Sequence, residues 1–76
     1  MAKTFTYEIK QNIGVLSDTG TLATELNLIS YNDAAPKFDL RKWRVIDGQK
    51  KMQKGITMTR EELLALRDLL NDMEDI

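Results

Sequence analysis

Residues 4–10, Thr-Phe-Thr-Tyr-Glu-Ile-Lys, alternate between apolar and polar. Phe5, Tyr7 and Ile9 fall on one side and Thr6, Glu8 and Lys10 on the other, which is the period of a β-strand. Ile13–Ser17 prolong this strand beyond a bend near Gly14, and Ser17-Asp18-Thr19-Gly20 reads as a turn. Residues 21–31 alternate again, with Leu22, Thr24, Leu26 and Leu28 on one side and Ala23, Glu25, Asn27, Ile29 and Tyr31 on the other. A loop over residues 32–36 leads to a third strand over residues 37–43, whose start suits Pro36. Asp47-Gly48 is a strong turn signal. It leads to a short fourth strand over residues 54–59 with Ile56 and Met58 pointing inward.

Thr59 opens a helix. Thr59 and Glu62 have capping-box spacing, and Glu61 suits the positive end of the helix dipole. Leu63, Leu66, Leu69, Leu70 and Met73 make a stripe broader than one small sheet face requires, with Leu64 to one side. The order is four strands joined by short connections, hence antiparallel, and then one helix. The expected fold class is α+β, in a single domain over residues 1–76. A domain of this size buries only about 60% of the surface its unfolded chain exposes. With no cysteine, no disulfide can compensate. The wide stripe therefore predicts a homodimer joined through Leu63, Leu66, Leu70 and Met73.

The alternation predicts a core of Phe5, Tyr7, Ile9, Leu22, Leu26, Leu28, Phe38, Leu40, Ile56 and Met58 under the helix. The opposite face is expected to stay open and to carry Lys10, Asn27, Tyr31, Lys37, Arg41, Trp43 and Thr57. Overall charge, −1, hides an asymmetry. Residues 37–54 hold seven basic and two acidic side chains, whereas residues 59–76 hold two basic and six acidic ones. Cations beside flat rings suit single-stranded nucleic acid, because Lys and Arg hold phosphates while exposed bases stack on aromatics. Lys50, Lys51 and Lys54, read as a loop beside that face, extend the basic surface.

Other functions fit poorly. Without His or Cys the chain lacks the usual zinc ligands and the commonest general base, so neither a metal nor a catalytic residue is expected. No glycine-rich phosphate loop is present, and no cofactor is expected. Asp18-Thr19-Gly20 matches the tripeptide of aspartic proteases, but Ser17 and Thr21 do not fit its usual flanks, and a hairpin turn is the simpler reading. No apolar run approaches the roughly 20 residues of a membrane helix, and no signal-peptide core follows the first lysine. The expectation is a soluble, cytoplasmic, nucleoid-associated protein. The alternative from another class is a protein-interaction module that docks a transcription partner through the Trp43 face.

The segments "ELNLISYN", "PKFDLRKW" and "KGITMT", followed by a Leu-rich helix, resemble the positive cofactor four family of transcriptional coactivators, and most of all its small bacterial members of the YdbC type. The resemblance runs from about Thr4 to Met73. It implies a curved four-stranded antiparallel sheet, a C-terminal helix and a homodimer whose grooves bind single-stranded DNA with little sequence preference, RNA being a variant of the same reading. By position, Lys37, Arg41 and Lys54 match basic sites of the family, and Tyr31 matches an aromatic at the end of the second strand. Eukaryotic members place a Trp three residues after the Arg and another aromatic before it, whereas Trp43 stands two residues after Arg41. The resemblance also implies transcription machinery as a partner.

Overall fold

Strands β1 (Tyr7–Asp18), β2 (Leu22–Tyr31), β3 (Lys37–Ile46) and β4 (Gln49–Met58) precede helix α1 (Arg60–Asn71) in a computed structural model that describes residues 5–73. The strands form one antiparallel sheet in sequence order, so every connection is a hairpin. The β1–β2 turn is closed by Asp18, whose Oδ1 accepts from the Gly20 amide at 2.8 Å, with Gly20 at φ 96°. The Asp-Thr-Gly tripeptide is thus a turn whose carboxylate is occupied by the backbone. Asp47 and Gly48 both have positive φ, the signature of a two-residue type I′ hairpin. This turn zips β3 and β4 from Ile46–Gln49 onward. The fourth strand therefore starts at Gln49 rather than Lys54, and Lys50, Lys51 and Lys54 lie on a strand, not in a loop. The start of β1 expected at Thr4 lies outside the described residues.

Helix α1 is set by its N-terminus as expected. The Thr59 side chain accepts from the Glu62 amide, and Glu62 returns a bond to the Thr59 amide. Its leucines meet one face of the sheet. Leu63, Leu64, Leu66 and Leu70, with Leu16, Leu26, Leu40 and Met58, line an apolar groove of about 440 Å³ between helix and sheet. No residue of the helix is fully buried, and Leu69, Leu70 and Met73 are exposed.

The better buried face is the other one. Ala23, Glu25, Asn27, Ile29, Asp39 and Trp43 are all buried on the side away from the helix. Among the described residues no other element covers that side, and the sheet curls over it. The aromatic contacts show how far. Tyr7 pairs with Tyr31 and Trp43 pairs with Ala23, positions separated by about 26 Å of straight strand. Their ring centroids are nevertheless 5.8 Å apart.

The cause lies in β1. Its register against β2 slips at three places, between Ile9 and Gln11, Asn12 and Gly14, and Val15 and Ser17. Each slip is a single-residue bulge, which bends a strand and increases its twist. Each also reverses the alternation of faces. Asp18 shares the face of Ala23, and Tyr7 stands an odd number of residues earlier, so unbroken alternation would place it on the helix side. Three reversals bring it to the concave side instead. The expectation that Phe5, Tyr7 and Ile9 join the leucine core is corrected accordingly: all three are exposed, and the Phe5 and Tyr7 rings neighbour Tyr31 and Trp43. The face expected to be open is also corrected, since curvature buries Asn27 and Trp43 within it.

A second tight point couples β3 to β4. Gly55 pairs with Arg41 next to a further register slip, and a Cβ added at Gly55 would lie 1.9 Å from the Arg41 Cβ and 2.7 Å from the Leu40 carbonyl oxygen. Backbone, not a flexible tip, blocks that space. Gly55→Ala should cost about 3 kcal/mol of folding stability through overpacking, measured by urea denaturation. A variant as stable as wild type would show that the two strands do not approach this closely.

Candidate nucleic-acid interface

Four rings gather at one end of the concave face. Trp43 lies deepest, at 1% exposure. Tyr7 leans against it, and Phe5 reaches both Tyr7, at 6.2 Å between centroids, and Tyr31, at 5.9 Å. All three pairs are tilted, a favourable arrangement for ring quadrupoles. Exposure rises along the series: Tyr7 is 39% and Phe5 59% exposed. The outer rings offer π-surface to solvent while the inner one holds them in place.

Asp39 organises the centre of the face. It is fully buried and accepts three hydrogen bonds, one from the Tyr31 hydroxyl and two from Arg41, through Nε at 2.6 Å and Nη2 at 2.7 Å. Arg41 Nη1 donates to the Gln53 carbonyl at 3.1 Å. A buried carboxylate is tolerable only when its lone pairs are met in this way. The hydrogen bonds to Asp39 raise the Arg41 pKa above its ordinary value. Burial, and then the bond to Asp39, push the Tyr31 hydroxyl up to about 12.

A second polar cluster surrounds Glu25, also buried. Lys50 donates its ammonium to Glu25 Oε2 and sits 5.7 Å from the centroid of the Trp43 ring. Asn12 Nδ2 donates to Asn27 Oδ1 at 2.6 Å and to Glu25 Oε1 at 3.3 Å, and Asn27 Nδ2 reaches the same Glu25 oxygen at 3.4 Å. Among the described residues the buried indole N–H of Trp43 meets no acceptor.

The residues singled out from the sequence are distributed as follows. Asn27, Tyr31, Lys37, Arg41, Trp43, Lys50 and Thr57 share the concave face. Of these, Asn27 and Trp43 are buried, and Arg41 is committed to Asp39 rather than free. Lys37 and Thr57 are exposed there. Lys54 lies exposed at the slip in β4. Lys51 pairs with Arg44 on the helix side and donates to Gln49 at 3.1 Å. Lys10 sits at the first bulge of β1 and ion-pairs with exposed Glu8 at 3.2 Å. The basic segment is thus divided between two faces. Phe5 and Tyr7 were missed as surface rings, and no local signal marks them, because the bulges that turn them show only in the pairing. Asn12 and Glu25 were likewise not recognised as members of this face's network. Among the described residues no cluster of three His, Cys, Asp or Glu could hold a metal ion, and no helix is long and apolar enough to cross a membrane.

A family model described as transcriptional coactivator p15 (PC4) matches residues 23–69, from Ala23 in β2 to Leu69 in α1. An uncharacterized protein of Treponema pallidum (strain Nichols) is 47% identical over 70 residues, covering 91% of this chain and 80% of its own length.

The Tyr31–Asp39 bond makes a testable statement about alkaline pH. Tyr31 holds its proton more tightly folded than unfolded, its pKa being raised from 10.0 to about 12. Its contribution to stability is therefore complete below the unfolded value and is lost as pH rises through the folded one. Titration followed by tyrosinate absorbance should show a step near pH 12 that Tyr31→Phe removes. A Tyr31 step at the ordinary value would place the hydroxyl away from Asp39.

Proposed function

This chain belongs to the transcriptional coactivator p15 (PC4) family, and we propose that it is a non-catalytic protein that binds single-stranded DNA with little sequence preference, in transcription regulation or DNA maintenance. The observation that carries this reading is the graded row of rings Phe5, Tyr7 and Tyr31 on a concave face, with exposed Lys37 on the same face and Lys54 at the edge of the sheet. Rings with free π-surface stack on unpaired bases of any identity, and lysines track the phosphates. Duplex DNA keeps its bases inside and offers such rings nothing. The alternative, a module that docks a protein through Trp43, lacks the exposed indole it requires. Transcription machinery as a partner and a nucleoid location are corollaries of the DNA-binding reading.

Fluorescence anisotropy with labelled oligo-dT, oligo-U and duplex DNA at several salt concentrations tests it. Oligo-dT should bind more tightly than duplex. If Lys37 and Lys54 each neutralise one phosphate, affinity should fall with salt at a log–log slope of about −1.4. Lys37→Ala should reduce that slope by about 0.7 for every sequence alike. Phe5→Ala and Tyr7→Ala should each cost about 1–3 kcal/mol of binding with little loss of stability. Equal affinity for single strands and duplex would sink the stacking reading, and oligo-U binding as tightly as oligo-dT would make RNA an equal ligand.

We also propose a homodimer in which a second copy of this chain covers the leucine groove, with Leu63, Leu66, Leu70 and Met73 at the interface. The support is a helix with no buried residue over an apolar groove, in a small domain without disulfides. Sedimentation at micromolar concentration should show a dimer, and Leu70→Lys should dissociate it. A wild-type monomer would end this proposal.

A further inference from the structure

Three features meet at one spot and are not explained by folding alone. Glu25 is a carboxylate only 4% exposed. Its counter-ion, Lys50, is half exposed and lies over the Trp43 ring. Among the described residues the Trp43 indole N–H beneath is buried without a partner, an unfavourable state for a donor in a folded protein. A buried donor left unmet in a native structure calls for a reason. The ring that carries this donor lies against two side chains that can leave. Lys50 is a flexible ammonium at the sheet edge, and Tyr7 stands at the first residue of β1 with its ring partly in solvent.

We infer that Glu25, Lys50 and Trp43 form a closed nucleotide subsite, opened when a backbone phosphate takes Lys50 from Glu25. This rests on the single-strand reading above. In the free protein the Glu25 carboxylate occupies Lys50 as a phosphate would and parks it over the indole. A single strand lying along the outer rings brings phosphates to the same edge. One of them replaces Glu25 as the acceptor for Lys50. The ammonium swings outward, the indole face opens to the adjacent base, and the unmet N–H gains an acceptor on the nucleotide. Glu25 is then a positioning residue: it touches no ligand, but keeps the subsite shut until a phosphate is present. Asn12 and Asn27, which donate to Glu25 Oε1, hold its carboxylate in place during the exchange.

The exchange has an ionic signature. Each phosphate neutralised on a single strand releases about 0.7 of a counter-ion. If the lysine comes from Glu25, the vacated carboxylate takes up a cation, and the two effects nearly cancel. Lys50 therefore adds almost nothing to the salt slope of wild type. In Glu25→Gln no carboxylate is vacated, so the slope for oligo-dT should steepen by about 0.7. With no ion pair to break, binding at low salt should tighten by about fivefold. Acrylamide should also quench Trp43 more readily in the free variant than in free wild type. Unchanged affinity and unchanged slope in a folded Glu25→Gln protein would mean that Lys50 stays on Glu25 in the complex, and would overturn the inference.

A measurement on wild type needs no variant. The chain has one tryptophan, so its indole N–H gives one resonance. Saturation with oligo-dT should move that resonance, as the proton acquires a hydrogen bond. A saturated complex with an unmoved indole resonance would reject the subsite while leaving DNA binding intact. Absence of oligo-dT binding would instead reject the functional reading itself.

Discussion

The three single-residue bulges of β1 are the constraint on which the molecule depends. A hairpin whose strands kept step from Asp18–Ala23 to the far end would be gently twisted, with the Tyr7 ring on the helix side. Each bulge takes one residue out of the pairing, bends the strand, and reverses its faces. Three of them curl the sheet until its ends approach, and leave Tyr7 on the inside of the curve against Trp43. The buried face, the row of rings and the roof over the indole all follow. The same bulges break the regular row of hydrogen-bonding groups along β1, an edge strand, and so make that edge a poor template for another chain.

A curved sheet of this size leaves little room inside, and polar side chains share it with Trp43, Ile29 and Ala23. Asp39 and Glu25 are buried carboxylates: Asp39 is met by Arg41 on its own strand and by Tyr31 from β2, and Glu25 by Asn12 from β1 and Lys50 from β4. Such pairs add little net stability, because desolvation offsets most of the attraction. Their value is geometric. Asp39 ties β3 to the end of β2 through Tyr31, and the Arg41 guanidinium carries the tie across to β4 at Gln53. The bidentate grip fixes the guanidinium plane, while Gly55 leaves room for the Arg41 backbone to lie close against β4. Two cations of the face are thus held by the protein's own carboxylates, whereas Lys37 and Lys54 stay exposed.

The helix plays a different part. It lies on the convex side, where Leu26, Leu40 and Met58 meet its leucines across a groove that one helix does not fill. That side carries the apolar groove, whereas the concave side buries Ala23, Ile29 and Trp43 together with the polar pairs. The two faces therefore carry different chemistry without sharing residues.

Much of this was legible in the residues alone. Alternation located the first three strands, the C-terminal half of β4 and the partition of β2, because side chains in any strand point to opposite faces whatever the strand packs against. Thr59 and Glu62 marked the start of the helix, and Asp47-Gly48 and Asp18-Thr19-Gly20 marked turns, because capping and positive φ are local chemistry. The tertiary structure decided what depends on pairing between distant residues. Lys37 was placed on the concave face and is exposed there, since no slip separates it from the β2 register. Phe5 and Tyr7 were placed on the wrong side, since bulges are a property of two strands and leave no mark in one. Trp43 and Asn27 were assigned to the right face but to an open surface, because burial there comes from curvature rather than from a covering layer. Arg41 and Lys50 were counted as available cations, because their partners, Asp39 and Glu25, read as solvent-facing charges until the sheet closed around them.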